Sequence, residues 1–162
     1  MSTRFVRRGV SKYYWLTGVS DYRNITRSDL TGGIDLSDEI ADISGWSLEN
    51  QAASTPDMGS RFEKNIPGLD SASDSSITCY EPEEDPTGDE VDISAVLPKG
   101  EAGVFVILRR GDKPGSLSLD AFPARVASNS AEHSAGNDAA RIVVQFTITT
   151  EPEQDQPVPV AA

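Results

Sequence analysis

The tract from Arg141 to Thr150 constrains the fold of this 162-residue chain more than any other. Ile142, Val144, Phe146 and Ile148 alternate with Val143, Gln145, Thr147 and Thr149. A period of two is the mark of a β-strand with one face in a core. Ten residues would span roughly 33 Å, long enough to cross a small domain from side to side. Phe122 and Arg125 to Ala127 alternate more weakly, and the small polar run Ser128 to Ala140 follows. These predict an antiparallel partner strand and a mobile connecting loop.

In chain order, residues 1–10 form a basic arm, and KYYWLTGV at 12–19 reads as a first strand. Thr26 is placed to cap a short helical turn with Asp29 three positions on, and Gly32 and Gly33 end it. Between Ile34 and Glu49 the apolar spacing is helix-like from Ile40 to Ile43 and strand-like across Trp46 and Leu48; a strand is expected from Ile40 onward. Residues 50–60 lack periodicity and contain Pro56 and Gly59, so they read as an overlong hairpin loop joining Ile40–Glu49 to Arg61–Ile66.

Ile77 and Cys79 share one face of a further strand, with Thr78 and Tyr80 on the other. The acidic start of DEVDISAVL and the stop before Pro98 and Gly100 predict a helix at about residues 89–97. GVFVILRRG at 103–111 has the pattern of a strand buried on both faces. The tail 151–162, with Pro152, Pro157 and Pro159, reads as an extended acidic arm. The domain proper is therefore 11–150.

Gly, Pro, Ser, Thr and Asp are plentiful and aromatic residues are only 7%, which suits strands joined by many loops better than a helical bundle. A single cysteine allows no internal disulfide, no apolar run is long enough to span a membrane, and the N-terminus has no secretory h-region. A soluble protein made in a reducing compartment is expected. The net charge of −12 is uneven: residues 1–27 hold six basic residues against one acidic, net +5, which leaves −17 for the remainder. Such an arm either attracts the acidic body of another copy or is a disordered terminus with incidental charge. The acidic body opposes tight nucleic-acid binding, which relies on cations displacing phosphate counterions.

Residues that carry chemistry are scarce. His133 is the only histidine, so neither a histidine-centred triad nor a multi-histidine metal site can be built. Glu81, Glu83, Glu84 and Asp85 are interrupted by Pro82 and lack EF-hand spacing, reading as a solvated charge run rather than a calcium site. DLTGGIDL lacks the lysine of a phosphate-binding loop. Cys79 reads as a small buried hydrophobe, and Trp15 and Trp46 as packing residues rather than a sugar-stacking platform. No catalytic residue, metal or cofactor is expected.

The order SKYYWLTGV, TRSDLTGGIDLSDEIADISGW, TPDMGSRFEKNIPG, SSITCYEP, AVLPKGEAGVFVILRRG, FPARVAS and VVQFTITTEPEQD runs from Ser11 to Asp155. This succession resembles the major tail protein, or tail tube protein, of long-tailed siphovirus-type phages, particularly those infecting actinobacteria. The resemblance implies a mainly β fold of two packed antiparallel sheets, a β-sandwich or distorted barrel, flanked by one α-helix. It further implies hexameric rings stacked into the virion's tail tube, the conduit for genome delivery.

The implied partners are other copies of the chain, a tape-measure protein in the lumen, tail-tip and tail-terminator proteins, and viral DNA passing through without specific binding; membrane insertion is not implied. The implied inter-ring contacts are Arg4, Phe5, Arg7 and Arg8 of the arm, with Thr55, Pro56, Asp57, Met58 and Arg61 of the long loop. The alternatives are a capsid-decorating or adhesive β-sandwich, and, more remotely, a small binding module.

Overall fold

The computed structural model describes residues 2–88, 90–133 and 135–160. Its central element is the strand β8 (Leu117–Glu132), sixteen residues long. One edge of β8 pairs with β7 (Ala102–Leu108), and the other pairs first with β10 (Glu153–Pro157) and then with β9 (Arg141–Ile148), all antiparallel. Pro123 lies where the partner changes. Its carbonyl accepts from the Thr149 N–H at 3.0 Å, so the N–H that proline lacks would point the same way, into the gap between β9 and β10. A proline is tolerated in this central strand because no ladder bond is due there.

The main sheet runs β2 (Ile34–Asp35), β1 (Lys12–Leu16), β7, β8, β9, β6 (Ser75–Tyr80), β3 (Ile40–Ser44). Two strands separate β1 from β9, yet the Trp15 and Phe146 ring centroids are 5.4 Å apart. With strands about 4.8 Å apart, a flat sheet could not bring these rings together, so the sheet curls into an open barrel. A separate two-stranded ribbon, β4 (Leu48–Ser54) and β5 (Asn65–Ala72), completes the expected mainly β fold of two antiparallel sheets.

The inside of the curl is filled by Trp15, Trp46, Phe105, Phe122 and Phe146 with Ile77, Cys79, Ile142 and Val144. The alternation of β9 and the two faces of β6 fall as expected, with Ile142, Val144 and Phe146 buried. The opposite face of β7 and β8, carrying Val104, Val106, Leu108, Leu119 and Ala121, is covered by Ile25, Leu30 and Val158. Thus β7 is buried on both faces, as its continuous apolar run predicts. The Thr26–Asp29 capping box forms and starts α1 (Arg27–Gly32).

Several expectations need correction. The strand from Ile40 breaks at Gly45 and Trp46, whose φ angles of 83° and 61° are left-handed. A Cβ at Gly45 would stand 2.2 Å from the Asp74 carbonyl oxygen, so only glycine fits. The bend drives Trp46 inward, where it stacks on Phe105 at 4.4 Å and donates from Nε1 to the Ser76 carbonyl at 3.2 Å. Second, much of the supposed loop 50–60 is strand: β4 extends to Ser54, and β5 begins only at Asn65. Within the partner Arg61–Ile66, only Asn65 and Ile66 are paired.

Third, the helix expected at about 89–97 is a single turn, α2 (Ile93–Val96), capped by Asp92, whose side chain accepts from the Ser94 N–H at 3.1 Å; Asp89 lies outside the described residues. A capping aspartate competes for the backbone and starts the helix late. The polar run after Ala127 likewise continues β8 to Glu132 past a bulge, because β9 supplies a backbone ladder regardless of side chain; Ser134 lies outside the described residues.

Fourth, the acidic tail is not a free arm. β10 adds to β8, Val158 is 1% exposed, and the buried Gln156 receives the Ile25 N–H and donates to the Tyr22 carbonyl. Arg109 ties the strand down by pairing with both Asp120 and Asp155. Burial raises the Asp120 carboxyl above its usual range despite the Asp155 N–H and Arg109. Ala161 and Ala162 lie outside the described residues.

Phe146→Ala, which opens a cavity beneath both tryptophans, is expected to cost about 3–5 kcal/mol in denaturant unfolding; a loss below about 1 kcal/mol would show that the ring cluster is not the core. Gly45→Ala is expected to lower the melting temperature measurably through the clash with Asp74, and an unchanged value would contradict the bend. The Cys79 thiol is buried and pushed up to about 12, first by desolvation and then by Glu39. At pH 8 about one molecule in ten thousand would carry the thiolate, so labelling by a thiol reagent should track global unfolding. Labelling of the native protein at the rate of a free thiol would refute this.

Candidate assembly surface

The ribbon β4–β5 is exposed along both strands, apart from Ala72 at its base. An isolated two-stranded ribbon is marginal in water because neither face is covered. Here its surface carries Ile66 at 53% exposure and Leu69 at 81%, with Phe62 at 74% and Met58 fully exposed at its tip. Its conformation is held locally. The Asn50 side chain bonds the backbone of Gly68 in both directions, at 3.0 and 3.1 Å, and Ser54 Oγ donates to Glu63 at 2.6 Å. At the tip the Thr55 N–H and hydroxyl both reach the Lys64 carbonyl, at 2.7 and 3.2 Å.

Lys64 also pairs with Asp57 at 2.7 Å, and Gly59 N–H donates to the same carboxylate at 2.9 Å. These bonds, Lys64 foremost, hold Asp57 below its usual range. Thr55, Pro56, Asp57, Met58 and Arg61 thus form one outlying tip, its shape set by its own hydrogen bonds.

The arm is anchored at its base. Val10 and Ser11 N–H both donate to the Arg7 carbonyl, at 3.0 and 2.9 Å, closing a turn. Ser11 Oγ donates to the Arg109 carbonyl at 2.8 Å. Arg8 Nη2 donates to the carbonyl of Ala41 on the edge strand β3, at 3.1 Å. Beyond this turn Phe5 and Val6 are 51% and 73% exposed; Met1 lies outside the described residues.

Among the described residues, Arg4, Arg7, Arg8 and Arg61 make no ion pair, and no hydrogen bond joins the arm to the ribbon tip. The two groups of sequence-predicted residues therefore form two separate surfaces. Sequence reasoning missed Phe62, Ile66 and Leu69. Their signal was weak, since Pro67 and Gly68 interrupt the alternation and nothing local distinguishes an exposed apolar residue from one in a core. No cluster of acidic, histidine or cysteine side chains suited to a metal occurs among the described residues.

The architecture is shared with chains of tail-like particles. A chain of the anti-feeding prophage baseplate, from a 6-fold symmetrised map, superposes with a TM-score of 0.59 at 11% identity, covering 93% of this chain and 95% of that one. A chain in the tail of an empty gene transfer agent particle gives a TM-score of 0.52 at 12% identity, covering 90% and 93%. One in the sheath–tube complex of an extracellular contractile injection system, in its extended state, gives 0.52 at 11%, covering 90% and 88%. Identities this low establish a common fold. No curated protein matches the chain in sequence. The family model described as phage tail tube protein matches residues 1–161; with the fold and an unpartnered ribbon already in view, this chain belongs to the phage tail tube protein family, whose members are structural components of the virion tail.

Proposed function

We propose that copies of this chain close into six-membered rings, and that the rings stack into the tube through which the genome leaves the particle. The observation that carries the reading is the ribbon β4–β5 with its tip, where Ile66, Leu69 and Phe62 stay exposed among the described residues. A subunit contact that covers them would gain about 1.5–3 kcal/mol for each fully buried side chain. Exposed ion pairs from the arm contribute about 0–1 kcal/mol each. The ribbon therefore supplies affinity, and the arm supplies orientation between rings.

Six-fold order is supported by the symmetry imposed on the baseplate and gene-transfer-agent assemblies that share the fold. Closed rotational symmetry pairs every surface within a ring, whereas stacking is open-ended and needs an external limit on length. A tape-measure protein in the lumen and tail-tip and terminator proteins at the ends fit that need. The acidic body, net −17 beyond residue 27, fits a channel that DNA traverses without sticking, because like charge removes the counterion-release contribution to binding.

Electron microscopy of the purified chain, alone and seeded with a tail-tip complex, tests the reading. Rings or hollow tubes are expected; persistent monomers under both conditions would overturn it. Ile66→Asp combined with Leu69→Asp should keep the monomer's melting temperature within about 2 °C yet abolish assembly, and normal tubes from this variant would sink the role given to the ribbon. Removal of residues 1–10 should leave the fold intact and weaken stacking, an effect read as shorter tubes at equal protein concentration.

A further inference from the structure

The root of the ribbon borders a groove of about 290 Å³ formed where β5 ends and the chain turns from β9 into β10. Its apolar lining is Leu48, Ile148 and Pro152, and its acidic groups are Asp70 and Glu151. Leu48 is 37% exposed, and both carboxylates lie on the open surface. Asp70 is engaged on one side by the Asn50 amide. The Glu151 backbone carbonyl accepts from the Tyr22 hydroxyl at 2.9 Å, which fixes the turn without using the Glu151 carboxylate.

We propose that this groove is the seat for the arm of a second copy. The arm reads Arg4, Phe5, Val6, Arg7, Arg8: two apolar side chains flanked by cations. Phe5 and Val6 are uncovered in the monomer, and Arg4 has no ion-pair partner among the described residues, while Arg7 acts on the Asp120 carboxylate of its own chain without a close ion pair. A mainly polar groove whose open apolar surface is led by Leu48, with the exposed carboxylates of Asp70 and Glu151 on two different elements, complements the arm chiefly in the sign of its charge.

Two other recesses fit it less well. The one between Glu81 and Arg141 is lined by Glu132, His133 and Asp138 and offers no large apolar side chain to Phe5. The one along β3 is already lined by Arg7 and Arg8 of the same chain. The assignment rests on the self-assembly reading for its occupant, and it names the receiving surface for the arm.

A fluorescent peptide of residues 2–10, titrated into the full-length protein and followed by anisotropy, tests the groove without requiring tubes. Saturable binding is expected. It should weaken about fivefold when Asp70→Lys and Glu151→Lys are introduced together, and likewise when the peptide carries Phe5→Ala and Val6→Ala. A peptide with Arg4→Glu, Arg7→Glu and Arg8→Glu should bind the charge-reversed protein better than it binds the wild type. Circular dichroism of the variants verifies that these exposed substitutions leave the fold unchanged.

Absence of saturable binding, or equal binding by the wild-type and reversed proteins, would overturn the assignment. Micrographs of the same samples read the tube separately. Tubes formed by the reversed protein as freely as by the wild type would remove the groove while leaving the tube in place.

Discussion

The stack of Trp46 on Phe105 is the contact on which the architecture depends. Trp46 also meets Phe122 edge-on at 5.4 Å and lies 5.2 Å from Phe146, so one side chain touches β7, β8 and β9 at once. It fills the inside of the curl. A left-handed non-glycine residue costs on the order of 1–3 kcal/mol, less than the burial and ring contacts of a tryptophan at such a site return. The adjoining Gly45 allows the chain to pass within van der Waals reach of Asp74. The same bend that seats Trp46 sends β4 away from the body. The filled core and the projecting ribbon are therefore two results of one local choice.

What could be read in the sequence follows from how local its physics is. β9, β6 and β7 announce themselves because their side chains alternate or are continuously apolar, and the Thr26–Asp29 capping box is complete within four residues. β10 could not be read this way. Its residues are Glu, Gln, Asp, Gln and Pro, and it is a strand only because β8 offers an edge, Gln156 finds two backbone partners and Arg109 holds Asp155. The second half of β8 is legible only through β9 for the same reason. The ribbon failed for the opposite cause: its apolar residues face water, so burial, the basis of the periodicity argument, does not pattern them.

The tip residues form one structural unit, held by Lys64 and Asp57. The arm residues form another. Composition could not separate a docked turn from a loose terminus, because the contacts that dock it, Ser11 to Arg109 and Arg8 to Ala41, join positions 98 and 33 residues apart.

The free edges of the main sheet bear on whether strand pairing alone could join two copies of the chain. β2 has two residues, and β3 has five with a register shift after Ile40 and an Arg8 guanidinium on the Ala41 carbonyl. Short, irregular or capped edges are poor templates for strand addition. The ribbon has longer free edges, yet Pro67 removes a donor from β5, and a bulge lies between Asn50 and Ala52 of β4. Backbone pairing alone would thus select partners weakly. In the proposed assembly, selection falls to side chains, Ile66, Leu69 and Phe62 for affinity and the arginines for orientation, because these need a complementary surface and not merely another exposed edge.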